Sequence, residues 1–265
     1  MLEIALPVAF ALVVWWVGTG VILLAVRLPP RTYPRSLAIA GCLLVLALAV
    51  IAEHDGAEGV SEAYVAFAAA VVVWGFVELT FLTGWITGSR TTDCPADSRG
   101  WLRARYATEA IIYHELALVA AGAAVLAAAW NGANPVAIAT FAVLWIMRLS
   151  SKLNLFLGVR TLNDELLPRQ LQHLRSYFTR GTMNALWPVS VLVPAVVTVL
   201  LVGAALAPEA TGFETAAFLL VASLLALAVA EHAFMMVPIP IARLWRMEPP
   251  KPELGPPEPG RPTPT

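Results

Sequence analysis

Apolar residues in this chain run in long unbroken blocks separated by short polar segments, without the alternation of a strand or the one-sided stripe of a soluble helix. Seven blocks, at roughly 4–26, 36–52, 62–87, 107–129, 135–157, 185–206 and 213–240, approach or exceed the ~18–20 residues that ~30 Å of hydrocarbon requires at ~1.5 Å per residue. The pattern predicts an all-α polytopic membrane protein with seven transmembrane helices. Composition agrees, since 59% of residues are apolar and only 13% are charged, too greasy a balance for a soluble domain of 265 residues.

The polar connections carry the orientation signal, because basic residues near span ends stay in the cytoplasm. Arg27, Arg31 and Arg35 follow the first block, Arg90, Arg99, Arg103 and Arg105 the third, and Arg160, Arg169, Arg175 and Arg180 the fifth. Arg243, Arg246, Lys251 and Arg261 follow the last. The intervening connections hold no Lys or Arg. This alternation predicts a periplasmic N-terminus and a cytoplasmic C-terminus. Between spans 5 and 6, Leu167, Leu171, Leu174 and Phe178 recur at helical spacing with Arg169, Gln172 and Arg175 on other faces, which predicts an amphipathic interfacial helix capped by Asn163-Asp164-Glu165. Residues 1–246 are expected to form a single transmembrane domain, and the proline-rich 247–265 a disordered cytoplasmic tail.

Ionisable groups inside hydrocarbon cost roughly 2.5–3.5 kcal/mol each at a helix centre, so each one implies a partner. Glu78, Glu109, His114, Glu115, Arg148, Lys152, Glu231 and His232 all lie within apolar blocks, and the proposed topology puts most of them in one layer of the inner half. The expected cluster is Glu78, His114, Glu115, Glu231 and His232, with Glu109, Arg148 and Lys152 as charge partners and Asn154 and Glu165 in secondary positions. If each cation takes one carboxylate, carboxylates and imidazoles are left over. Three readings follow: an ion-pair lattice that fixes which helices touch, a site for a transition metal such as iron or for a pigment, or a transport path. His-Glu and Glu-His are adjacent pairs, so their members point about 100° apart on a helix and cannot both aim well at one centre.

No zinc-protease, nucleophile-elbow, phosphate-loop or dinucleotide motif occurs, and no basic cluster interleaved with aromatics indicates nucleic acid. Cys42 and Cys94 form no C-x-x-C pair, and packing or a loop thiol accounts for each. Gly84 and Gly88 have GxxxG spacing but sit at a span end, where a turn serves as well as packing. Ala120, Ala124 and Ala128 form a small-residue ridge, and Trp85, Trp101, Trp130, Trp187 and Trp245 near span ends read as an interfacial belt.

Several long stretches resemble one family. They are Val13-Val14-Trp15-Trp16 with Thr19-Gly20, Trp74 to Gly84, His114-Glu115-Leu116-Ala117, Leu144 to Val159, Arg175-Ser176-Tyr177-Phe178 and Met183 to Ser190. Together they resemble the PuhE family, photosynthetic complex assembly proteins of purple bacteria associated with the gene cluster for the reaction-centre H subunit. The resemblance covers roughly residues 5–245. It implies a multi-pass protein of the bacterial inner (intracytoplasmic) membrane that supports assembly of reaction-centre or light-harvesting subunits, with tuning of bacteriochlorophyll supply and contact with a tetrapyrrole or its precursor as extensions. It implies no reaction. A membrane metalloenzyme acting on a pigment precursor and a small-molecule or pigment transporter stand as alternatives.

Overall fold

The computed structural model describes residues 1–130, 132–162 and 167–237. The Asn163-Asp164-Glu165 cap, the proline-rich tail and its basic residues, and Trp245 therefore lie outside the described residues. Within them the protein is helical, with α1 (Leu2–Arg27), α2 (Tyr33–His54), α3 (Val60–Leu82), α4 (Gly100–Ala128), α5 (Val136–Leu157), α6 (Leu186–Ala205) and α7 (Gly212–Phe234). All seven are long and apolar enough to cross a bilayer. The described residues contain no strand; Val159 and Arg180 form one isolated bridge.

α3 and α7 form the centre of the bundle. About half of each is buried, whereas α1, α2 and α6 present mainly exposed apolar side chains. α3 touches α1, α2, α4, α5 and α7, and α7 in turn touches α1, α3, α5 and α6. Small residues make this centre possible, because Ala63, Ala66, Ala70 and Ala216, Ala217 let neighbouring backbones approach around Phe67, Leu220 and Leu224. Exposed faces of Leu and Val this extensive would aggregate in water and suit lipid. The entry to α7 is fixed by a capping box: Thr211 Oγ1 accepts from the Glu214 N–H at 3.2 Å, and Glu214 Oε2 accepts from the Thr211 N–H at 2.8 Å.

The third apolar block extends to about residue 87, but α3 stops at Leu82. Gly84 takes φ +80°, open to glycine at no steric cost, and the Trp85 and Ile86 N–H groups fold back onto the Thr80 carbonyl at 2.9 and 3.1 Å. Of the two readings of the Gly84–Gly88 spacing, Gly84 is the turn and Gly88 the close approach. Residues 85–90 then lie against the backbone of α4. The His114 N–H donates to the Thr87 carbonyl at 2.8 Å, and the Glu109 carbonyl accepts from the Arg90 N–H at 3.2 Å and the Ser89 hydroxyl at 3.3 Å. Such main-chain pairing keeps irregular backbone satisfied beside a spanning helix.

The segment between α5 and α6 is helical as the hydrophobic spacing indicates, but as a 3-10 helix over Arg169–Tyr177. Its three-residue period buries Leu171, Leu174 and Tyr177 together, packed with Phe81 and Ala110. Tyr177 accepts from Arg90 Nε at 2.9 Å and donates to the Thr92 carbonyl at 3.0 Å. Burial pushes its phenol above the ordinary tyrosine value, so it stays a neutral donor. Arg103 Nη2 also holds the Thr179 hydroxyl at 2.8 Å, tying the start of α4 to this segment. Trp85, Trp101 and Trp130 are exposed near helix ends, but Trp187 donates its indole N–H to the His232 carbonyl at 2.8 Å and is part of the packing.

A Cβ at Gly88 would lie 2.1 Å from the Glu109 oxygen and 2.3 Å from the Ala110 carbonyl carbon, both backbone atoms. Gly88→Ala is therefore expected to destabilise the protein by roughly 1–3 kcal/mol, the usual range for overpacking. The readouts are a lower unfolding midpoint in detergent and faster proteolysis between α3 and α4. Gly203→Ala, where a Cβ meets nothing within 4 Å, is the control expected to leave both unchanged.

Candidate functional site

α5 carries polar residues on two sides. Arg148 and Lys152 are about one turn apart and share a face, while Ser150 and Asn154 share another, about 200° away at about 100° per residue. One layer of polar groups is thereby divided into two networks with α5 between them.

On the first side the cations meet α3 and α4. Lys152 Nζ donates to Glu115 Oε1 at 2.6 Å, with the two side chains 15% and 21% exposed. Arg148 Nη2 reaches Glu78 Oε2 at 3.4 Å. Glu78 Oε1 lies 3.9 Å from Nε2 of His114, a fully buried residue. The His114 ring stacks on Phe81 with centroids 4.2 Å apart, and Lys152 Nζ sits 6.0 Å from the centre of the same ring. Phe81 thus touches both the histidine and the surroundings of the ammonium. Glu78 and Phe81 are three residues apart on α3 and share one face, which is why a single helix edge supplies both.

On the second side, α5 meets α6 and α7 through neutral groups. Ser150 Oγ lies 3.0 Å from His232 Nε2 and 2.8 Å from Ser190 Oγ. The Asn154 amide donates to Ser190 Oγ at 2.9 Å, and the Asn184 amide donates to Asn154 Oδ1 at 3.0 Å and to the Gly158 carbonyl at 2.8 Å. His232 Nδ1 is 2.9 Å from the Ala228 carbonyl. A carbonyl only accepts, so Nδ1 carries the proton and Nε2 is an acceptor, which shares the single Ser150 hydroxyl proton with Ser190 Oγ. A serine donating to a histidine is the arrangement of an activated nucleophile. Here every member has its hydrogen-bond partners, and the network acts as a clamp joining three helices.

Beside the first network lies a cleft of about 640 Å3 between α1, α2, α3, α5 and α7. Trp15, Trp74 and Phe76 line its walls, and Glu78, Arg148 and Glu231 gather toward the end where α3, α5 and α7 finish. Glu231 is exposed into this cleft, near enough to Arg148 and Glu78 to feel their charges. Neither His114 nor His232 lines it.

Of the residues singled out in the sequence, Glu78, His114, Glu115, Arg148 and Lys152 come together. Glu231 stands at their edge in the cleft. His232 and Asn154 belong to the second network. Glu109 is remote from both; it pairs with Arg105 Nε at 2.8 Å on the α4 surface. Glu165 lies outside the described residues. The adjacent pairs divide as helix geometry requires, His114 toward α3 and Glu115 toward α5, Glu231 into the cleft and His232 toward Ser150. Among the described residues no group of three His, Cys, Asp or Glu side chains is placed to hold a metal ion. Both buried carboxylates near His114 are occupied by cations from α5. Sequence reasoning missed Phe81, Ser150, Ser190, Asn184 and the cleft. Small hydroxyls inside apolar blocks were the only sign of the neutral network, and they are common in membrane helices for packing alone.

Comparison with known proteins adds kinship. The family described as protein of unknown function DUF3623 matches residues 1–253. A Rhodobacter capsulatus protein described as "Uncharacterized 30.4 kDa protein in puhA 5'region" is 36% identical over 257 residues, covering 94% of this chain and 93% of its own length. The resemblance drawn from the sequence blocks is borne out by that match. No solved structure matches.

Removing one member of a buried ion pair leaves the other charge uncompensated, at a cost of roughly 3–5 kcal/mol, whereas replacing both by apolar groups is often nearly neutral. Glu115→Gln is therefore expected to lower stability by that amount, and Glu115→Leu combined with Lys152→Met to restore most of it. Equilibrium unfolding in detergent measures both. Equal stability of Glu115→Gln and the unsubstituted protein would show that Lys152 has another counter-charge.

Proposed function

The chain belongs to the DUF3623 family, and from that premise we propose that it supports assembly of the photosynthetic reaction-centre and light-harvesting complexes. The observation that carries this reading is the nearly full-length similarity to a protein named for its place in the puhA 5' region. Similarity over 94% of the chain takes in all seven helices, so the shared unit is the whole bundle. Its proposed location is the bacterial inner (intracytoplasmic) membrane. The N-terminus is periplasmic and the C-terminus cytoplasmic in this proposal, in keeping with the arginines that follow α1, α3 and α5. Residues 1–246 act as one transmembrane domain, followed by a cytoplasmic tail. The 3-10 segment, its basic residues turned away from the buried leucines, lies at the headgroup boundary.

The geometry favours a binding and scaffolding role over catalysis. Charges that a metal centre would need are committed to helix pairing, and the serine–histidine contact is enclosed in a satisfied network. A metalloenzyme or a transporter gains no specific observation here. In the assembly reading the partners are photosynthetic subunits, met through the apolar outer faces of α1 and α6, and bacteriochlorophyll supply is tuned as a consequence of how much complex is built.

Deleting the gene from a photosynthetic bacterium that carries it should lower the near-infrared absorption of its reaction-centre and light-harvesting complexes. The wild-type gene should restore the absorption, and a Glu115→Gln copy should restore it only in proportion to the folded protein it yields. Unchanged complex levels in the deletion strain would overturn the proposal. Stoichiometric iron in the purified protein, lost in folded His114→Ala, would favour the metalloenzyme instead.

A further inference from the structure

We propose that the cleft between α1, α2, α3, α5 and α7 binds a prenylquinone, with the ring at the Arg148–Glu231 end and the tail running along α1. The cleft reaches from Val13 to Ala25 on α1, about 18 Å at ~1.5 Å per residue, which suits a hydrocarbon chain lying along the helix. Its wall is apolar; Trp74 and Phe76, within about one turn of Glu78 on α3, favour a flat ring, and Trp15 lies along the part that would hold the tail.

The polar end selects the head group. Arg148 is 37% exposed, and among the described residues its one hydrogen bond is the 3.4 Å contact with Glu78, which leaves N–H groups, the buried Nε among them, with no acceptor there. Glu231 lines the same end and makes no hydrogen bond among the described residues. A ligand that accepts from the guanidinium would satisfy them, and a ring carbonyl does so; in the quinol form the hydroxyl donates to Glu231. An anionic head, phosphate or carboxylate, would face two carboxylates, Glu78 and Glu231, against one guanidinium. A cationic head would face Arg148. A neutral ring carbonyl meets neither repulsion. A metallotetrapyrrole held by an axial imidazole is disfavoured, because His114 is enclosed behind Phe81 and His232 has both ring nitrogens engaged.

The assignment concerns binding alone, and it is independent of the assembly role. Decylubiquinone titrated into the detergent-purified full chain should quench tryptophan fluorescence saturably, at one site per chain. Arg148→Gln should weaken that binding at least tenfold. Because Arg148 also holds Glu78, Ala228→Phe serves as a second variant, filling the cleft from α7 while leaving both ion pairs in place. It should abolish saturable quenching with unchanged helical circular dichroism. Absence of saturable quenching in the unsubstituted protein, or equal affinity in folded Ala228→Phe, would overturn the proposal. So would a retained phospholipid or bacteriochlorophyll that decylubiquinone fails to displace. Complementation of the deletion strain is read separately, so failure of one claim is distinguishable from failure of the other.

Discussion

Charge pairing in a low-dielectric interior is the constraint on which the bundle depends. Lys152 and Arg148 are carried by one helix and answered by Glu115 and Glu78 on two others, so α3, α4 and α5 meet in one register. Hydrocarbon packing alone is permissive, because Leu and Val surfaces slide past one another at little cost. An unpaired charge is not permissive, since it costs several kcal/mol when its partner is displaced. The 2.6 Å Lys152–Glu115 contact therefore specifies where α4 sits against α5, and Phe81 stacks on His114 beside it.

The neutral network complements this on the opposite side of α5. Ser150, Asn154, Ser190 and His232 bring α6 and α7 to the helix that also holds the ion pairs. With ionic contacts on one side and hydroxyl and amide contacts on the other, α5 acts as the hub of polar recognition, although α3 and α7 hold the apolar centre. The segment after α3 adds a third kind of contact, main chain to main chain, through Thr87, Gly88 and Arg90 against α4.

Much of this was legible in the sequence, because transmembrane length and hydropathy are one-dimensional signals. All seven helices fall within the apolar blocks or overlap them closely, and the charged residues of the first network, with His114, His232 and Asn154, stood out as polar groups in apolar surroundings, whereas Ser150, Ser190 and Asn184 did not. Helix ends were harder to read. Hydropathy continues through Trp85 and Ile86, while the helix is stopped by the backbone freedom of Gly84 and by carbonyls recaptured at Thr80. Partners were harder still. Glu109 was expected as a charge partner of the buried cluster, yet it pairs with Arg105 one turn away on α4. The alanine ridge was read at Ala120, Ala124 and Ala128, whereas the buried face of α4 runs through Ala110, His114, Leu118 and Val125, and Ala120 is exposed. Depth follows from counting along the chain, but azimuth is set by the neighbours a helix meets.

The cleft joins helices that are far apart in the sequence. Its long wall comes from α1, and Glu231 comes from α7, about 200 residues further along the chain. The ion pairs lie on α3, α4 and α5, so they need nothing from the helix that completes this pocket. Occupancy thus depends on α7, and a chain cut short before it lacks the carboxylate that completes the polar floor.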